Sequence, residues 1–101
     1  MAYHRVAALA DLWTGELVAA EAAGTRLLLV RLGETVHAYA DRCAHLGVRL
    51  SEGALDGTVL TCSAHHWQYD VTTGCGVNPA HARLARFAVK IEGGAVYVEV
   101  P

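Results

Sequence analysis

No stretch of this sequence is apolar for long enough to cross a bilayer, and Arg5 and Asp11 interrupt the N-terminus before a signal-peptide core can form. The expectation is a cytoplasmic chain with no membrane contact. A basic run and an acidic tail are both lacking. The net charge is only −2, with arginines and carboxylates interspersed, so nucleic acid is not an expected partner. Linkers, repeats and low-complexity runs are missing too. An even number of cysteines is also missing. The three present, Cys43, Cys62 and Cys75, would sit in a compartment that keeps thiols reduced, which disfavours a structural disulfide and favours a metal.

What is there describes a small folded unit. Apolar residues make up 53% and charged residues 18%, a balance that supports a packed core. The 101 residues hold one such core, expected as a single domain over 1–101. Much of the apolar share is alanine, which buries little area, so a cofactor tethering the loops would help stability.

The pattern is of short strands between turn signals. Glu16–Ala22 and Thr25–Leu32 flank Ala23-Gly24. Val36–Ala40 follows Gly33-Glu34. Asp56-Gly57 marks a tight hairpin between Gly53–Leu55 and Thr58–Thr61. Trp67–Val71 precedes Thr73-Gly74, and Leu84–Ile91 and Ala95–Val100 flank Glu92-Gly93-Gly94. Val6–Leu12 carries helix-favouring alanines but is cut short by Trp13-Thr14-Gly15, so it reads as a strand and a turn. Turn signals this frequent predict an all-β antiparallel sandwich or barrel.

On that map two Cys–His pairs fall in loops. They read Cys43-x-His45 and Cys62-x-x-His65, with sixteen residues between His45 and Cys62. The intervening hairpin can set the loops side by side. Two buried thiols beside two surface histidines is the plain reading, but it leaves the pairing unexplained. Zinc accepts two Cys and two His, yet classical fingers group the cysteines together and the histidines together. One of each per loop suits a binuclear centre in which one metal takes both sulfurs and the other both nitrogens. That is the donor set of a Rieske [2Fe–2S] centre, one cluster per chain, with Cys43, His45, Cys62 and His65 as ligands. Replacing two thiolates with neutral imidazoles removes negative charge and raises the potential above that of plant-type ferredoxins. His45 and His65 then mark the electron exit.

The flanking residues carry a family resemblance. From Asp11-Leu12-Trp13-x-Gly15-Glu16 to Val96-Tyr97-Val98 the chain resembles the small Rieske-type ferredoxins. Cys62-Ser-Ala-His65-His-Trp67-Gln-Tyr69 and Thr73-Gly74-Cys-Gly76-Val-Asn78-Pro79 look most like the ferredoxin component of toluene-type multicomponent monooxygenases. The resemblance implies a Rieske fold with a small cluster-binding part at about 41–80. It also implies a one-electron carrier rather than an enzyme, working in aromatic hydrocarbon catabolism; a monomer is the simplest expectation. Its expected partners are an NADH-dependent flavin/iron–sulfur reductase and a diiron hydroxylase acting on an aromatic or alkene substrate. Ferredoxins of aromatic-ring dioxygenases usually read Cys-Pro-x-His-Gly at the second loop, whereas Ser63 and His66 stand here. A dioxygenase ferredoxin is the runner-up. The small Rieske-like subunit of a nitrite reductase and a colourless zinc module are further alternatives.

Respiratory Rieske proteins brace the two loops with a disulfide at positions matching Val48 and Ala64, and place a serine where Trp67 stands. With fewer donors to the cluster sulfurs, a potential near the bottom of the roughly −150 to +300 mV range is expected. The Tyr69 hydroxyl still falls where it can reach a cysteine sulfur. Trp67, Leu46 and Pro79 are candidate partner contacts. Trp67 reads equally well as a core aromatic. Gly76–Pro79 resembles the proline-containing loop that covers Rieske clusters. His66 reads as a loop residue pointing away, Cys75 as a small apolar residue or a free thiol, and His4, His37 and His81 as ordinary.

Overall fold

The computed structural model describes residues 2–43, 48–64 and 66–100. Among them are eleven strands, two short 3-10 turns and no α-helix. In chain order the strands are β1 (Ala2–Ala8), β2 (Leu17–Ala22), β3 (Thr25–Leu32), β4 (Thr35–Ala40), β5 (Ala54–Asp56), β6 (Val59–Thr61), β7 (Gln68–Asp70), β8 (Gly76–Asn78), β9 (Arg86–Phe87), β10 (Val89–Glu92) and β11 (Ala95–Val100). They pair antiparallel into three sheets, ordered β1-β11-β10, β2-β3-β4-β9 and β5-β6-β7-β8. The expected all-β antiparallel architecture is the observed one.

The middle sheet is sandwiched. In β3, Leu27, Leu28, Leu29 and Val30 are all fully buried, so the run lacks polar alternation because both faces of the strand are covered. Leu27 and Leu29 join Val36, Ala38, Val96, Val98 and Val100 in one core, under the first sheet. Leu28 and Val30 join Tyr39, Leu50, Leu60, Tyr69, Val71, Cys43 and Cys62 in the other, under the third sheet. Burying each such leucine or valine contributes about 1.5–3 kcal/mol. The two metal-ligand cysteines proposed from sequence are therefore members of a packed apolar layer.

Three boundaries differ from the sequence reading. The first strand lies earlier, at Ala2–Ala8, and Leu9–Asp11 is a 3-10 turn, so only the beginning of Val6–Leu12 is strand. Leu84–Ile91 is two strands. β9 pairs with β4 in the middle sheet and β10 with β11 in the first, the chain changing sheets at Ala88. A single apolar run hides such a crossing, because both halves face a core. Gly76–Asn78, read as a covering loop, forms β8 against β7. The turns fall as expected: Ala23 and Gly24 have φ of 50° and 78°, the left-handed pair that a two-residue hairpin turn requires.

Candidate metal centre

The two cysteine loops leave from the two sheets that share the second core. Cys43 follows β4, and Cys62 follows β6. Each loop is closed by the same kind of bond. The Cys43 N–H donates to the Val48 carbonyl at 2.8 Å, and the Cys62 N–H donates to the Trp67 carbonyl at 2.7 Å. In both cases a cysteine is tied to the residue five further on, which brings the two ends of the segment together as a hook with its cysteine at the root.

The first hook is anchored from below. Asp41, only 6% exposed, accepts the Ser51 N–H at 2.7 Å and the Ser51 hydroxyl at 2.6 Å, while its own N–H donates to the Arg26 carbonyl at 3.1 Å. One buried carboxylate thus locks the segment before Cys43 to the 3-10 turn after Val48. No local sequence signal marks Asp41 and Ser51 as a pair, because they are brought together only by the return of the loop.

The Cys43 and Cys62 side chains face each other within hydrogen-bond reach, and each is 1% exposed. Burial pushes the Cys62 thiol above its ordinary pKa. An N–H from Ala64 aimed at the sulfur works the other way, and the neighbouring Cys43 thiol raises it again. The Tyr69 hydroxyl lies 3.3 Å from the Cys43 sulfur, in a fully buried position. Donors directed at sulfurs that burial would otherwise keep protonated suit thiolates held by a cation, which deprotonates its cysteine ligands outright. The paired sulfurs, one with an N–H aimed at it and the other with a hydroxyl in reach, fit the sulfur half of an iron–sulfur site.

The nitrogen half was expected from His45 and His65. Both lie outside the described residues, as does Leu46. Among the described residues no group of three or more His, Cys, Asp or Glu converges on one point, so these residues supply the two sulfurs and no third donor.

The remaining expected site residues are placed as follows. Trp67 is half-buried against the second core, and its ring meets His81 edge-on, with centroids 5.9 Å apart and planes at 81°. His81, expected as an ordinary histidine, is exposed and sets this ring contact between the second hook and the segment after Pro79. That segment is tightly drawn in. The Gly76 N–H donates to the Ala82 carbonyl at 2.8 Å, and a Cβ at Gly76 would collide with the Pro79 carbonyl oxygen. Pro79 is half-buried and His66 exposed. Val48 and Ala64, where a disulfide brace was noted as lacking, pack instead as apolar residues on the cysteine-bearing core.

Three further residues are placed by the structure. His37 is buried, beside Arg86 and Asp70. Burial, and then the Arg86 charge, lower its pKa, with Asp70 opposing. Tyr39 is fully buried and donates its hydroxyl to the Val71 carbonyl at 2.6 Å. Cys75 carries no disulfide and sits in an isolated bridge with Arg83, away from the other two cysteines.

Comparison with known proteins agrees with this geometry. The chain is 44% identical over 98 residues to the ferredoxin component of the alkene monooxygenase system of Xanthobacter autotrophicus, covering 95% of this chain and 80% of that one. It is 34% identical to the ferredoxin component of biphenyl 2,3-dioxygenase from Rhodococcus jostii, covering 99% and 94%. Among solved structures, the ferredoxin in a complex of reduced oxygenase and oxidised ferredoxin of carbazole 1,9a-dioxygenase superimposes with a TM-score of 0.87 at 34% identity, over 95% of this chain and 91% of that one. The profile of the Rieske [2Fe-2S] domain matches residues 2–88. The chain belongs to the Rieske [2Fe–2S] domain family, and its cofactor is a [2Fe–2S] cluster of the Rieske type.

Proposed function

We propose that this chain is the one-electron carrier of a multicomponent monooxygenase, taking electrons from an NADH-dependent flavin/iron–sulfur reductase and delivering them to a diiron hydroxylase. The observation that carries the reading is the pair of buried, facing sulfurs of Cys43 and Cys62, each rooted in a hook that also bears a histidine in sequence. Cys43 and Cys62 ligate one iron in this reading, and His45 and His65 the other. The cluster, when bound, supplies reversible one-electron redox chemistry. The residues around it hold and tune it. The Ala64 N–H and Tyr69 O–H donate to the two sulfurs, Asp41 and Ser51 brace the first hook, and Trp67 with His81 braces the second.

The whole of 1–101 acts as a single domain, with about 41–80 as the cluster-binding part. It works as a cytoplasmic monomer; no helix among the described residues is long and apolar enough to cross a membrane. A carrier meets two partners in turn, so its contacts are small and transient, around His45, Leu46, His65, Trp67 and Pro79. The monooxygenase branch is favoured by the 44% identity to an alkene monooxygenase ferredoxin and by Ser63 and His66 in the second hook. The dioxygenase reading is supported by the lower but extensive likeness to biphenyl and carbazole dioxygenase ferredoxins.

The test is stopped-flow reoxidation of the reduced protein by a diiron monooxygenase hydroxylase and by a Rieske ring dioxygenase. The visible absorbance of the cluster reports the electron leaving. Fast transfer confined to the diiron enzyme is expected; preference for the dioxygenase would move the chain to the other branch.

A further inference from the structure

The arginines of this chain divide by what they touch. Arg31 donates to the carbonyls of Leu9, Leu12 and Gly33, and Arg83 to those of Ala80 and Ala82, so both are spent inside the fold. Arg26, Arg42 and Arg49 are exposed and form no side-chain hydrogen bond or ion pair among the described residues, where Lys90–Glu92 is the one salt bridge. Arg26, Arg49 and Asp41 line two adjoining shallow depressions of about 340 and 350 Å³, the first shared with Glu21 and the second with Arg42. Arg42 directly precedes Cys43 and Arg49 directly follows Val48, so the bond that closes the first hook also gathers both cations at its base. Arg26 joins them through the bond from the Asp41 N–H to its carbonyl.

We propose that this arginine triad is a docking surface for a carboxylate-rich face of a redox partner, seated on the flank of the first cysteine hook. The proposal rests on the carrier reading above and names the chemistry of the partner that reading requires. Three guanidiniums with unused donors favour carboxylates, which they can grip with two parallel hydrogen bonds. The depressions discriminate between sources of negative charge. The Asp41 carboxylate lines both depressions and the exposed Glu21 the first, which opposes a small free anion that enters, whereas a protein face can set its carboxylates directly against Arg26, Arg42 and Arg49. Three cations on a chain of net charge −2 do not form the long basic track that nucleic acid needs. On such a chain the patch makes the charge distribution lopsided, so an acidic partner is steered to the side of the molecule next to Cys43.

The experiment uses the cluster-loaded protein and its triple variant Arg26→Gln, Arg42→Gln, Arg49→Gln, with Arg5→Gln on β1 as a control. Each is reduced and mixed with the oxygenase and, separately, the reductase component of the Xanthobacter autotrophicus alkene monooxygenase system, across a range of salt. An unchanged visible spectrum verifies that the variants hold the cluster. With at least one component, the triple variant is expected to associate about tenfold more slowly at low salt and to converge with the parent at high salt, while Arg5→Gln follows the parent. Equal rates for parent and triple variant at every salt, with both components, would overturn the docking surface and leave the carrier reading standing. A parent protein that exchanges electrons with neither component would remove the carrier reading itself, and this proposal with it.

Discussion

The hydroxyl of Tyr69 lies 3.3 Å from the sulfur of Cys43, inside a core where both residues are at most 1% exposed. A donor to a ligand sulfur stabilises whichever oxidation state carries more negative charge, which is the reduced one. Tyr69→Phe keeps the ring and its packing and removes the hydroxyl. We expect its midpoint potential to fall by tens of millivolts, the equivalent of about 1 kcal/mol of hydrogen bonding. Protein-film voltammetry measures the shift directly. An unchanged potential would mean that the hydroxyl does not act on the sulfur.

Ser51 supplies both donors to the buried carboxylate of Asp41, one from its backbone and one from its hydroxyl. Ser51→Ala leaves Oδ2 of Asp41 without that hydroxyl in a site nearly closed to water. The cost expected is about 1–3 kcal/mol, read as a lower Tm. Because Asp41 roots the first hook, the variant should also lose iron faster to a chelator than the parent does. Equal Tm values with equal iron loss would detach Asp41 from the integrity of the site.

His37 gives the fold a pH dependence of definite sign. Its pKa is lowered in the folded chain by burial and by Arg86, with Asp70 pulling the other way. In the unfolded chain the imidazole takes its proton at about pH 6.5. Between that pH and the lower folded value the unfolded state binds more protons, so stability falls as pH falls. The contribution is fully present above about pH 6.5 and is lost below it. Denaturation at pH 7.5 and 5.5 should show a smaller loss for His37→Gln than for the parent. Asp70 is held below the ordinary carboxylate range by its bonds from Thr72, so its own loss falls at lower pH, outside that window. Parallel losses in the two proteins would contradict the assignment.

Trp67 is half-buried and meets His81 edge-on, so it serves as a brace as well as a candidate partner contact. Trp67→Ala is expected to keep the visible spectrum of the cluster and to slow electron delivery to the oxygenase. Stopped-flow transfer at the parent rate would limit Trp67 to packing.

The sulfur half of the site was legible in the sequence because its chemistry is local; His45 and His65, expected as the nitrogen half, lie outside the described residues. One Cys and one His per loop, an Asp-Gly hairpin between the loops and a tyrosine seven residues beyond Cys62 are short-range signals, and the structure sets Cys43, Cys62 and Tyr69 together. Strands β2, β3 and β4 were legible for the same reason, since Ala23-Gly24 and Gly33-Glu34 set their ends. What escaped depends on distant contacts. The sheet change at Ala88 leaves no mark, because the residues on either side are alike in character while their partners differ. Strand β8 is three residues long and owes its existence to pairing with β7, not to its own propensity. Asp41–Ser51 and Trp67–His81 join residues ten or more positions apart by the return of a loop, and no spacing rule announces such pairs.

Whether Cys43, Cys62, His45 and His65 hold one Rieske-type cluster is decided by pulsed EPR of the reduced protein, with iron and labile sulfide counted on the same sample. Two irons and two sulfides per chain are expected, with couplings to two imidazole nitrogens, one lost in His45→Cys and one in His65→Cys. A colourless protein, or a reduced signal with no nitrogen coupling, would contradict that assignment.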